Sequence, residues 1–99
     1  MKIFISGKIT GLELEDAMLI FEKAEQSIQK GLPKAEIINP TKAVPFNESW
    51  DWEDYMKENI GLLIRCDAIY MLPNWRSSKG ASLERMIAGK LGLTILMTD

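Results

Sequence analysis

Ala68-Ile69-Tyr70-Met71-Leu72, then Pro73-Asn74-Trp75-Arg76-Ser77-Ser78-Lys79-Gly80, then residues 81–91, Gly92 and Thr94-Ile95-Leu96-Met97 form the stretch that decides the fold. The first five residues are apolar and too few for a helix, so they read as a buried strand. Segment 73–80 carries proline, asparagine, serines and glycine and reads as a loop. Residues 81–91 form a helix that Gly92 stops, and 94–97 form another strand. Strand, helix and strand in succession make a βαβ unit, whose crossover helix packs on the face of a parallel sheet.

The remainder repeats the pattern. Residues 3–5, ended by Ser6-Gly7, are a first buried strand. Ala17, Ile20, Phe21, Ala24 and Ile28 recur at helical spacing, and Gly31 is expected to cap that helix. Residues 36–38 are a second strand, stopped by Asn39-Pro40 because a residue before proline avoids the helical region. Residues 41–51 are expected to be a loop. A second amphipathic helix starts near Asp51, with Trp52, Tyr55, Met56, Ile60 and Leu63 on its apolar side. The prediction is an α/β, three-layer, Rossmann/flavodoxin-like domain. Its parallel sheet has four strands, or at most five, in the order 2-1-3-4.

Bulk properties narrow the function. Ninety-nine residues predict one domain over 1–99. So short a domain leaves much surface exposed, and homo-oligomerisation is expected to cover some of it. Net charge is −2 with no basic face, which argues against a nucleic-acid polymer or an anionic membrane as partner. One cysteine and no histidine exclude Cys/His zinc sites and any Ser-His or Cys-His nucleophile pair. The N-terminus has one lysine and a short apolar run, unlike a signal peptide, and no stretch reaches the ~18 apolar residues of a membrane span. The expected location is the cytoplasm.

In sheets of this order ligands bind beyond the carboxyl ends of the strands, where the strand order reverses. That places Gly7-Lys8-Ile9-Thr10-Gly11 and residues 73–80 on one crevice. The first loop lacks the GxGxxG and P-loop spacings, so an ordinary tight turn explains it equally well. Trp75 is positioned to stack on a base. Ser78, Lys79 and Gly80, entering a helix, could hold a phosphate or simply cap. Glu84 shares its helix face with Ala81, Ala88 and Leu91, and a carboxylate there is costly unless partnered. Asn59 lies on the apolar stripe of its helix, where an amide also needs partners. Glu48, Asp51, Glu53 and Asp54 are better read as a helix start than as a magnesium site, with Asp51 as the cap and the others following the preference of first turns for acids.

Four segments in order carry a resemblance: residues 3–11 (Ile-Phe-Ile-Ser-Gly-Lys-Ile-Thr-Gly), Cys66-Asp67-Ala68-Ile69-Tyr70, Ser78-Lys79-Gly80-Ala81-Ser82-Leu83-Glu84 and Ala88-Gly89-Lys90-Leu91-Gly92. Together they resemble the nucleoside 2-deoxyribosyltransferase superfamily and its deoxynucleotide N-hydrolase relatives, closest to a branch of small bacterial and phage domains. The resemblance covers nearly the whole chain. It implies a small-molecule nucleoside or nucleotide as partner, no cofactor and no metal. It also implies Glu84 as a nucleophile that attacks C1′ of a 2′-deoxynucleoside, as in retaining glycosidases. Ser78 matches the position where the nucleotide hydrolases hold the sugar's 5′ end. With Lys79 beside it, a 5′-phosphate would be tolerated. The loop 7–11 would wrap the other side of the nucleotide.

Three departures stand against the family pattern. Phe4 occupies the position of a tyrosine whose hydroxyl touches the nucleophile. Asn59 occupies the position of an aspartate that protonates or orients the leaving base, so it can orient but not protonate. The family often borrows a residue from a neighbour's C-terminal segment, whereas this sequence stops at Asp99 soon after its fourth strand. The expectations are a weak enzyme or one restricted to a base that leaves easily; failing that, a catalytically lapsed nucleotide-binding module; or a structural, oligomeric use of the fold.

Overall fold

β-branched and aromatic residues at alternating positions build the centre of the sheet, and both of its faces are covered. The computed structural model describes residues 1–97; Thr98 and the chain end at Asp99 lie outside the described residues. The strands are β1 (Lys2–Ser6), β2 (Glu36–Ile38), β3 (Ala68–Met71) and β4 (Thr94–Met97). The helices are α1 (Leu14–Gly31), α2 (Pro40–Ala43), α3 (Trp52–Leu63) and α4 (Lys79–Lys90), with a 3₁₀ turn at Trp75–Ser77 before α4. All strand pairs are parallel and the order is β2-β1-β3-β4, as the sequence predicts.

Alternation along β1 assigns its side chains to two cores. Ile3 and Ile5 pack with Phe21 and Ile28 of α1, and with Ala68 and Leu72. Phe4 faces the opposite way and packs with Leu63 of α3, Ile69 and Met71 of β3, and Ala81 and Ala88 of α4. Each fully buried large side chain stabilises the fold by roughly 1.5–3 kcal/mol. Burial on both faces is why β1 shows no apolar–polar alternation in sequence.

Four local expectations are corrected. Gly31 is the last helical residue of α1 and Leu32 is the cap, so the glycine does not adopt the left-handed cap conformation. Gly92, with φ +77°, does. Ile20 is exposed, because α1 buries only the narrow stripe Ala17, Phe21 and Ile28. Leu91 is exposed as well, since it caps α4 beyond the last sheet-facing turn at Ala88. Finally, 41–51 is not all loop. Asn39 accepts a hydrogen bond from the Thr41 amide (3.0 Å) and Pro40 takes the first helical position, so the pair that ends β2 also starts α2.

The start of α3 agrees with the sequence: Asp51 and Asp54 form a reciprocal capping box. No helix among the described residues is long and apolar enough to cross a membrane.

Candidate active site

The strand order reverses between β1 and β3, and the carboxyl ends of those two strands converge on Glu84. Ser6 pairs in register with Met71, and its carbonyl accepts the Leu72 amide at 2.8 Å. From that fixed position its hydroxyl donates to Glu84 Oε1 at 2.6 Å. Glu84 is 4% exposed and Ser6 1%. Ala81 and Ala88, one turn either side of Glu84, are fully buried, so α4 lies flat on the sheet and directs the carboxylate inward. Oε2 has no hydrogen-bond partner among the described residues.

Burial raises the Glu84 carboxyl from 4.5 to about 7, while the Ser6 hydrogen bond pulls the other way. No lysine or arginine pairs with Glu84 among the described residues. A carboxylate titrating near neutrality can serve as nucleophile or acid, and such groups concentrate at functional sites.

The loops after β1 and β3 touch each other. The Lys8 amide donates to Asn74 Oδ1 at 3.0 Å, tying the loop after β1 to the loop after β3. Gly7 is required there, since a Cβ would lie 2.5 Å from Leu72 Cδ1 and 2.9 Å from Leu72 Cβ. Gly11 has φ +92° at the third position of a turn closed by the Leu12 amide on the Ile9 carbonyl (3.1 Å), a conformation that favours glycine. Thr10 is exposed at the tip, while Ile9 packs on the α1-side core.

At the other flank, Ser78 caps α4 by accepting the Ala81 amide at 3.1 Å. Lys79 and Gly80, expected in the loop, are already helical. The Lys79 ammonium lies 4.0 Å from the centroid of the Trp52 ring. Gly80 marks the close approach of α4 to α3, its would-be Cβ 3.1 Å from Met56 Sδ. Asn59 follows Met56 on the same face of α3 and is 8% exposed. Its Oδ1 is sealed from solvent with no partner among the described residues, and no hydrogen bond joins it to Glu84.

Trp75 is not a free stacking platform. It packs on the core under α4, and the guanidinium groups of Arg76 and Arg85 lie over its ring at 4.8 and 4.9 Å. A hollow of about 600 Å³ lies in the loop that leads into α3, lined by Pro45, Phe46, Asn47, Glu48 and Trp50. The Tyr55 hydroxyl holds that loop, accepting from the Asn47 amide and donating to the Asn47 carbonyl, both at 2.7 Å.

Sequence reasoning missed Ser6 and Asn74. Ser6 carried one usable signal: a period of two places it on the same face as Phe4, toward α4, where a polar side chain needs a partner. Asn74 carried none beyond its place in the loop.

Among solved structures, the fold matches the 2-deoxyribosyltransferase of the psychrotolerant bacterium Bacillus psychrosaccharolyticus with a TM-score of 0.71. The match covers 98% of this chain and 71% of that one at 18% identity, so the likeness is one of fold. No curated protein matches the sequence. The model of the family described as "Domain of unknown function (DUF4406)" matches residues 1–97, and the chain belongs to that family.

Proposed function

We propose that this protein cleaves or exchanges the N-glycosidic bond of a 2′-deoxynucleoside, or of its 5′-monophosphate, through a covalent intermediate on Glu84. One observation carries the reading. A buried carboxylate, unpaired by any cation among the described residues, lies at the switch point of a sheet that shares the fold of a 2-deoxyribosyltransferase.

The chemistry is a double displacement. A Glu84 oxygen forms a bond to C1′ as the C1′–N bond breaks, and that bond's electron pair leaves with the base. The base takes its proton from water, since Asn59 has none to give. Water, or an N–H nitrogen of a second base, then attacks C1′, gives up its proton to solvent and releases the carboxylate, so the configuration is retained. A group that titrates near 7 is substantially ionised at neutral pH, as the first step requires.

The other residues take supporting roles in this reading. Asn59 would orient the base, a role that requires α3 and α4 to part enough to uncover its Oδ1, which is sealed and unpartnered among the described residues. Ser78 keeps its hydroxyl proton while capping α4, and with Lys79, Gly80 and the loop 7–11 it would hold the sugar and its 5′ end. Trp75 has no assigned contact, because guanidinium groups already lie over its ring. Exposed Leu14, Met18 and Leu19 on α1 support self-association, which sedimentation equilibrium tests.

The test is incubation with each 2′-deoxynucleoside and its monophosphate, with and without a second base, following free base and exchange product. Turnover that disappears in Glu84→Ala is the expected result. Phe4 and Asn59, where the resemblance to 2-deoxyribosyltransferases implies a tyrosine and an aspartate, favour a second reading, a lapsed nucleotide-binding module. Binding without turnover, unaffected by Glu84→Ala, would establish the module instead.

A further inference from the structure

The hydroxyl that meets Glu84 comes from a position two residues beyond Phe4. Side chains two apart on a strand share a face, so Phe4 and Ser6 both point toward α4. Phe4 is wholly buried among carbon and sulfur atoms of the core. Ser6 sits one step nearer the carboxyl end, where β1 gives way to the loop 7–11, and its hydroxyl is 2.6 Å from Oε1. Backbone pairing with β3 fixes the serine, and packing of Ala81 and Ala88 fixes the helix that carries the acid. The two groups therefore belong to rigid elements and meet without a loop between them.

We infer that Ser6 is a positioning residue for Glu84, its hydroxyl holding Oε1 so that Oε2 is the oxygen that bonds to C1′. The inference rests on the proposed function. Its geometric basis is the asymmetry of the carboxylate: Oε1 accepts from Ser6, and Oε2 is unpartnered among the described residues. No proton moves in this role. Ser6 donates to a charged oxygen in the free enzyme. When Oε2 bonds to C1′, Oε1 becomes the ester carbonyl and accepts more weakly. The charge-assisted bond returns as the second displacement frees the carboxylate. The hydroxyl thus favours the ionised nucleophile in an otherwise apolar setting, and favours Glu84 as a leaving group later.

The test compares Ser6→Ala and Ser6→Thr with wild type in two measurements. The first is the titration midpoint of Glu84, followed by carboxyl-carbon NMR of protein labelled at glutamate and assigned with Glu84→Gln. Loss of a charge-assisted hydrogen bond should raise the midpoint by about one to two pH units in Ser6→Ala. Ser6→Thr, which keeps the hydroxyl on a residue suited to strands, should return it toward wild type.

The second measurement is the pH dependence of turnover. The acid limb should move by the same interval, so that kcat on that limb falls about tenfold for each pH unit by which the midpoint rises, while KM changes little. An unmoved midpoint in Ser6→Ala, or an equal rise in both variants, overturns the inference. A moved midpoint with no turnover of any deoxynucleoside by wild type overturns the glycosyl-transfer reading instead and leaves the Ser6–Glu84 coupling supported.

Discussion

Replacing Glu84 by glutamine tests the site's electrostatics without needing a substrate. The side chains are nearly the same size, and the amide oxygen can still accept from Ser6, so the change removes chiefly the ionisation. In the folded chain the carboxyl titrates near 7 because it is buried, against 4.5 for the ordinary group. The folded state therefore binds more protons than the unfolded state between these two values. Stability must fall as pH rises through that window, and it levels off above it. Each pH unit between the two values is worth about 1.4 kcal/mol, so the whole interval corresponds to about 3 kcal/mol.

Glutamine has no such dependence. The stability of Glu84→Gln relative to wild type should thus increase by about 3 kcal/mol between about pH 4 and pH 8. Any constant cost of burying the amide nitrogen cancels from this difference. The assay is urea unfolding at fixed ionic strength, followed by fluorescence of the three tryptophans, at pH values across the range. A difference that stays flat within about 1 kcal/mol would show that the carboxylate is solvated or paired, and the account of the site would fail.

The pH dependence of kcat/KM should rise about tenfold per pH unit up to a midpoint near 7 and then level, because attack needs the ionised carboxyl; a profile flat through neutrality contradicts this. Asn59→Asp should increase turnover, by at most about 10²–10⁴-fold, if the missing proton donor limits the first step. Unchanged turnover in a protein that binds substrate would remove Asn59 from its assigned role. Gly7→Ala should destabilise by about 1–3 kcal/mol, since its Cβ would overlap Leu72, whereas Gly31→Ala, with open space in a helical turn, should stabilise by up to about 1 kcal/mol. Thermal unfolding of both variants checks the opposite signs, and two equal shifts would refute the packing argument.

The fold is legible in the sequence because its signals are local. Apolar runs bounded by Ser6-Gly7, Asn39-Pro40 and Pro73 mark the strands, and alternation with helical spacing leaves few topologies open. Where sequence and structure differ, one short signal has two meanings. Asn39-Pro40 ends a strand, but asparagine as a cap with proline at the first helical position also begins a helix. Gly31 resembles a cap because glycine often is one, yet helix length follows packing against the sheet, and α1 continues until Leu32. Ile20 matches helical spacing, but it lies about 100° around the helix from Phe21, outside the stripe that touches the sheet.

The site divides along the same line. Glu84 is legible because an acid on an apolar helix face violates the local pattern, and such violations point to special sites. Ser6 is not, because its partner is 78 residues away and a serine at a strand end reads as punctuation. Yet the two are informative only together. A carboxylate at this depth without a cation is destabilising at neutral pH, and one hydroxyl offsets only part of that cost. Stability alone would favour glutamine or an aliphatic residue at position 84, with Ser6 then dispensable. The chain instead places the donor on the central strand and the acid on the crossover helix, at the sheet's switch point. Keeping a poorly solvated, oriented carboxylate with one oxygen unpartnered among the described residues is unfavourable for folding but suited to attack on a carbon that becomes electron-poor as its bond to a base breaks.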